Sequence, residues 1–216
     1  MAGIKVLAYR PVYRETVRRI CCETALRGQP VDPLFPDREV VADLVTRYYT
    51  DFEPEATWLA VSESRVVGYL TGCLDSGRYR WLMGACVIPQ GIGRAVLRGD
   101  LGYPQTWHLA GAALRTVWLN GCHRAWPPAE YPAHLHLNLV EGFRGQRIGE
   151  QLLLRFLDHV QHTGGRGVHA AVRGENTSAR RFFERMGFVP VGRRTVVLPE
   201  DQALSAHETI FYGKRY

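Results

Sequence analysis

The stretch Glu141-Gly-Phe-Arg-Gly-Gln-Arg-Ile-Gly-Glu150 decides the fold. Before it stands His134-Leu-His-Leu-Asn-Leu-Val140, apolar at every second position, the period of a strand. After it, Ile148, Leu152, Phe156 and Val160 recur every four residues, with Leu153 and Leu157 beside them, which makes one apolar face of a helix. A glycine-bearing loop therefore carries a strand into the first turn of a helix. The first backbone N–H groups of a helix have no partner within it and lie at the positive end of its dipole, so such a loop is a ready anion site. Arg144 and Arg147 add full positive charge, and the loop reads as a cradle for a pyrophosphate.

A second segment repeats the arrangement. Val168-His-Ala-Ala-Val172 reads as a strand, and Glu175-Asn-Thr-Ser-Ala-Arg-Arg-Phe-Phe-Glu-Arg-Met-Gly-Phe188 follows it. Asn176 is a good N-cap and Gly187 a good helix stop. With both segments in view, the chain resembles the GNAT superfamily of acetyl-CoA-dependent N-acyltransferases. The loop motif of that family stands here as Arg144-Gly-Gln-Arg147-Ile-Gly149, and its second motif as Asn176, Ala179, Phe182, Phe183, Gly187 and Phe188. The match is close over residues 131–192. Within the superfamily, Tyr131-Pro-Ala-His-Leu-His136 is similar to the acetyltransferase-like domain found beside some bacterial O-GlcNAc hydrolases.

The resemblance implies an α/β fold: a mixed, mostly antiparallel central sheet of about seven strands flanked by helices, in one domain over 1–216. It implies acetyl-CoA as acyl donor, held by Arg144 and the backbone of Gly145, Gln146, Arg147, Ile148, Gly149 and Glu150. Leu137, Leu139 and Val140 stand where the family pairs strand backbone with the pantetheine arm, and a backbone N–H near Leu139 would face the thioester oxygen. Asn176 matches the asparagine that contacts pantetheine, a role compatible with capping. Ala179 completes that motif. Arg185 is either a phosphate contact or a solvated helix residue. Two positions depart from the pattern. Arg147 replaces a glycine, and Phe183 replaces the tyrosine that usually gives a proton to the leaving thiolate. That thiolate, with a pKa of about 8.5, can leave unaided, or Ser178 or Tyr212 can take over the role. An alkyl ammonium acceptor has a pKa of about 10, so a base helps; His136 and Glu141 are the candidates. His134, His136 and Asn138 share one strand face and the leucines the other. Two histidines at this spacing also suit a metal, but no third ligand lies nearby, and no metal is expected.

At 216 residues the chain suits one well-packed domain. Its net charge of +6 comes almost wholly from arginine, since Lys5 and Lys214 are its lysines. No long basic run marks a nucleic-acid arm; arginines gather instead at 144, 147, 173, 180, 181 and 185, where a polyanionic small molecule explains them. Five cysteines (21, 22, 73, 86 and 122) form no CxxC pair, which points to a reducing compartment. Neither a signal-like start nor a membrane-length apolar run is present, so the expected location is the cytoplasm, with a small-molecule acceptor as partner, no nucleic acid and no membrane.

The remaining chain reads in order as a strand over 4–9, a helix from Pro11 to about Leu26, and a helix over Asp37–Tyr48 with Val40, Val41, Leu44, Val45 and Tyr48 inward. A hairpin over 58–62 and 65–73 follows. Residues 74–130 interrupt the family pattern between the third and fourth strands. Segments 94–101 and 107–119 suit helices, and Trp107, Leu114 and Trp118 fall on one face. This insertion either covers the acceptor side of the active site or packs against the sheet or a partner subunit, which leaves a homodimer open. At the end of the chain, 193–206 reads as a turn region around Pro199, and 207–212 as the strand that closes the sheet. Two functions fit: direct acetyl transfer to a small amine or amino sugar in a ternary complex, or a catalytically inactive acetyltransferase-like binding module.

Overall fold

The computed structural model describes residues 3–24, 30–31, 37–120, 129–200 and 203–216. Leu26, Gly28, Pro33, Cys122, His123 and Trp126 lie outside the described residues. In chain order the elements are β1 (Lys5–Ala8), α1 (Arg14–Thr24), α2 (Arg38–Arg47), β2 (Thr57–Ser62), β3 (Arg65–Cys73), α3 (Ser76–Leu82), α4 (Ile88–Arg98), α5 (Pro104–Asn120), β4 (Ala133–Leu139), α6 (Ile148–His162), β5 (Gly167–Arg173), α7 (Thr177–Arg185), β6 (Val189–Glu200) and β7 (Ala203–Arg215). The seven strands form one sheet in the order β1-β2-β3-β4-β5-β7-β6. Its pairs are antiparallel apart from β4 with β5.

The leucine face of β4 and the apolar stripe of α6 make the main core. Ile148, Leu152, Leu153, Phe156 and Val160 are fully buried against Leu70, Leu135, Val168 and Ala170. The approach is close enough that a Cβ on Gly72 would lie 2.2 Å from the Phe156 ring. On the other face α1 buries Val17, Ile20 and Cys21 against Leu59 and Tyr69.

Helix α2 starts where the sequence predicts, because the Asp37 carboxylate accepts from the N–H groups of Glu39 and Val40. Its buried face differs from expectation. Val45 is exposed, while Ala42, Asp43 and Thr46 are buried. Asp43 is drawn inward by charge: the guanidinium groups of Arg18 and Arg94 both bond its carboxylate, and these cations hold its pKa below the usual carboxylate range despite burial. The Arg94 contact ties α4 to α2, as does the ion pair of Arg98 with Asp37 at 3.0 Å.

The insertion is helical, but α4 begins at Ile88 rather than near 94. Helices α3 and α4 sit on α2 and the turn after it, and α5 lies along β6, the edge strand. Thr116 Oγ1 accepts from the Val197 N–H at 2.8 Å, and Asn120 Nδ2 donates to Thr195 O at 2.7 Å. Side chains of α5 thus satisfy backbone groups that an open sheet edge would leave bare.

The expected turn region at 193–206 is corrected too. Strand β6 runs through it to Glu200, with Pro199 opposite Leu204 of β7. A proline is tolerated there because β6 is an edge strand, where a missing N–H breaks no ladder bond on the outer side. Strand β7 is last in the chain but lies inside the sheet, between β5 and β6.

Candidate functional site

Strands β4 and β5 pair only at Ala133 with Val168 and His134 with His169. Beyond that they part, while β3 follows β4 to Leu139 and β7 follows β5 to Arg173. A wedge opens in the middle of the sheet. Val140 donates its N–H to Val67 O of β3 at 2.9 Å. Backbone groups alternate sides along a strand, so the N–H groups of Leu137 and Leu139 turn the other way, into the wedge. They form a row of main-chain donors and acceptors facing a gap, able to pair with an extended amide-bearing chain.

The wedge widens into a recess of about 1060 Å³. Its far end is the loop 141–147 and the first turn of α6. Gly142 and Gly145 take left-handed backbones, with φ of 85° and 76°. Arg147 does so too (φ 58°), although it carries a side chain. Arg147 thus takes a conformation that glycine adopts freely, at a strain of about 1–2 kcal/mol. Its exposed side chain leaves it no part in capping: α6 has no side-chain N-cap. The N–H groups of Ile148, Gly149 and Glu150 precede the first α-helical bond, Gln151 N–H to Arg147 O at 3.2 Å, so they point at the recess as unspent donors. Arg144, Arg147 and Arg185 also line it. A diphosphate fits this set: fixed N–H donors, a helix dipole and mobile cations.

Of the predicted residues, His136, Leu137, Leu139, Arg144, Gly145, Arg147, Ile148, Gly149, Glu150, Asn176, Ala179, Phe183 and Arg185 line the recess together. Val140, Glu141 and Gln146 do not. Glu141 is exposed on the turn beyond β4, and Gln146 reaches back to donate to Gly142 O at 2.9 Å, which braces the loop. Asn176 caps α7 by accepting from the Ala179 N–H at 3.0 Å, which leaves its amide nitrogen as the donating end. Phe183 is buried, stacked near Tyr212 and edge-on to Phe188. The Tyr212 hydroxyl is committed to Glu184 Oε1 at 2.8 Å and does not line the recess, whereas Ser178 does. Among the described residues, none lining it comes from 74–130.

Sequence reasoning missed the group behind His136. His134 is buried between two hydroxyls: Ser76 Oγ lies 2.7 Å from Nδ1 and Tyr49 Oη 2.9 Å from Nε2. Ser76 also donates to Pro132 O at 2.7 Å, so it accepts from Nδ1–H, and Tyr49 donates to Nε2. This tautomer, assigned from the network, satisfies every partner with a neutral ring. Burial, then the neighbouring His136 and His169, push His134 well below the ordinary histidine value. His169 is lowered by burial although its Nδ1 donates to Tyr131 O at 2.9 Å. His136 lies 5.5 Å from the Tyr49 ring, edge-on. His136 is exposed at the recess, although protein crowds its ring from behind. Burial and His169 together lower it to about 4. A histidine at the matching position of a neighbouring strand, His169, was the available clue. Thr24 at the end of α1 also lines the recess, and its hydroxyl accepts from Asn138 Nδ2 at 2.7 Å.

Residues 108–188 match the family model described as the acetyltransferase (GNAT) family. The crystal structure of SsHAT superposes with a TM-score of 0.70 at 25% identity, over 99% of this chain and 98% of that chain. The fold is the GNAT fold. An N-acetyltransferase from Staphylococcus aureus Mu50 matches at 14% identity with a TM-score of 0.58, over 99% of each chain. The putative acetyltransferase yncA from Salmonella typhimurium, solved with its cofactor acetyl-CoA, matches at 11% identity with a TM-score of 0.56, over 98% of this chain and 93% of that chain. No group of three or more His, Cys, Asp or Glu among the described residues is placed to hold a metal, and no described helix is long and apolar enough to cross a membrane.

Proposed function

We propose that the protein transfers the acetyl group of acetyl-CoA directly to a small amine or amino sugar bound beside it. The observation that carries this reading is the wedge between β4 and β5, which leads to the uncapped, arginine-flanked start of α6. The donor supplies an activated acetyl thioester. Main-chain N–H groups of residues 148–150 hold its diphosphate, with Arg144 and Arg147 adding charge. The inward edge of Leu137–Leu139 pairs with the pantetheine arm, and Asn176 Nδ2 donates to it. The Leu139 N–H supports the developing oxyanion, a contribution of about 3–4 kcal/mol for such donors. The resemblance of Tyr131–His136 to the domain beside O-GlcNAc hydrolases is the reason an amino sugar stands among the acceptors.

His136 is the proton acceptor in this scheme, and its environment defines how. An imidazole near 4 cannot strip an ammonium of pKa about 10. The amine must arrive neutral; its N–H becomes acidic enough only as the C–N bond forms. The thiolate then leaves with a proton from solvent or from Ser178, since Phe183 has none.

Phe183 and the weak basicity of His136 also favour a second reading, a coenzyme-A-binding module without turnover. Free-thiol release from acetyl-CoA over a panel of primary amines and amino sugars separates the two. Acceptor-dependent release that is lost in Gly149→Trp supports transfer. Binding of coenzyme A with no release for any acceptor supports the module.

A further inference from the structure

Helix α5 packs one side on the rest of the protein and carries large apolar groups on the opposite side. At 100° per residue, Leu109, Ala112, Thr116 and Asn120 fall on one face, none of them exposed: Leu109 packs on Val40 and Ala95, and Thr116 and Asn120 bond β6. Trp107, Gly111, Leu114 and Trp118 fall on the opposite face. There Trp107 is 61% exposed, Leu114 72% and Trp118 79%, with Val117 at their flank at 56%. No carboxylate lies anywhere on the helix. A contiguous apolar face of this kind marks an interaction site. We propose that the uncovered face of α5 is where a second copy of this chain docks, helix against helix and antiparallel.

The spacing of the stripe is what selects a second copy. Turned end for end about a point between Ala112 and Ala113, the stripe meets itself. Trp107 then faces Trp118 of the other copy, and Leu114 lies over Gly111, where the missing side chain makes room. Large groups close the two ends and the small residue receives the leucine, twice, as an isologous contact requires. The area is adequate. Aromatic side chains offer roughly 150–250 Å² each, so the four side chains present about 550 Å² per copy, or about 1,100 Å² for the pair, near the lower bound for stable interfaces. A membrane surface fits less well. Tryptophans at such surfaces turn their N–H to the wet side, but Trp107 Nε1 already donates to Leu101 O at 3.0 Å, which also fixes the ring in place.

Solution mass by light scattering at about 50 µM tests this. The wild-type chain is expected at twice its monomer mass. Leu114→Arg is expected to be monomeric, with the dimer dissociation constant raised at least about a hundredfold, while Val12→Arg, at an equally exposed apolar position far along the chain, stays dimeric. Should Leu114→Arg fail to fold by circular dichroism, Trp118→Ser, which adds no charge, must still weaken the dimer at least about tenfold. Mixing Trp107→Cys with Trp118→Cys is expected to give disulfide-linked mixed dimers faster than either variant links to itself. Because each copy carries +6, raising the salt should tighten the dimer. A monomeric wild type, a Leu114→Arg dimer, preferential self-linking of the cysteine variants, or capture by anionic phospholipid vesicles that high salt reverses would each overturn the proposal.

Discussion

Arg147 carries the plainest conflict between a residue and its backbone. Its left-handed conformation costs about 1–2 kcal/mol, whereas a glycine there gives up about 0.5–1 kcal/mol of unfolded-chain entropy. Arg147→Gly is therefore expected to unfold at the same temperature as the wild type or slightly higher. Its affinity for coenzyme A should fall and become less sensitive to salt, since one cation is gone; a lowered Tm contradicts this account. The strain was foreseeable only as a question, because the sequence shows the substitution but not the φ. His136 is the second test. His136→Ala is expected to leave coenzyme A binding intact while lowering kcat by about 10²-fold or more. In the wild type, an imidazole near 4 is already neutral throughout the neutral range. The pH profile of kcat/KM should accordingly climb toward the pKa of the amine with no break near 6.5. A break there that disappears in His136→Ala would show that its proton affinity is ordinary.

At the scale of elements, strong periodicity was legible and competing uses of a residue were not. The stripe of α6 and the alternation of β4 gave the core and the cradle directly, because one burial pattern decides each. Val45 on α2 was placed inward since it is apolar; the buried place went to Asp43, whose two arginine partners are far away in sequence. Residues 193–206 looked like a turn because Pro199 and the polar Arg193 and Arg194 weaken the strand signal. Pairing along β7 overrides it at an edge where proline is harmless. The parting of β4 from β5 was invisible locally, since it is a property of two strands together. The start of α6 also sets a test of its own. A Cβ on Gly149 would lie 3.2 Å from Leu137 and 3.6 Å from the Phe182 ring. Gly149→Ala should weaken coenzyme A binding, and Gly149→Trp should abolish it with the circular dichroism spectrum retained. Unchanged affinity in both would move the diphosphate away from this turn.

The whole molecule has an acid weakness that follows from its three sheet histidines. His134, His136 and His169 have native pKa values below that of about 6.5 in an unfolded chain. Above 6.5 both states hold them neutral and their contribution to stability is complete. As the pH falls below 6.5, the unfolded chain takes up protons that the native state refuses, so stability drops. The depressed carboxyls of Asp43 and Asp51 add a further loss at lower pH, once the acid reaches the unfolded carboxylate range and below. The urea midpoint should be lower at about pH 5 than at about pH 7, and equal midpoints would mean these rings titrate normally. Everything functional, however, rests on a diphosphate bound to the main chain where β4 hands over to α6. Calorimetric titration with coenzyme A measures this most directly. The account predicts saturable one-to-one binding that weakens with added salt and is lost in Gly149→Trp; no binding at millimolar coenzyme A, or full binding by Gly149→Trp, would contradict it.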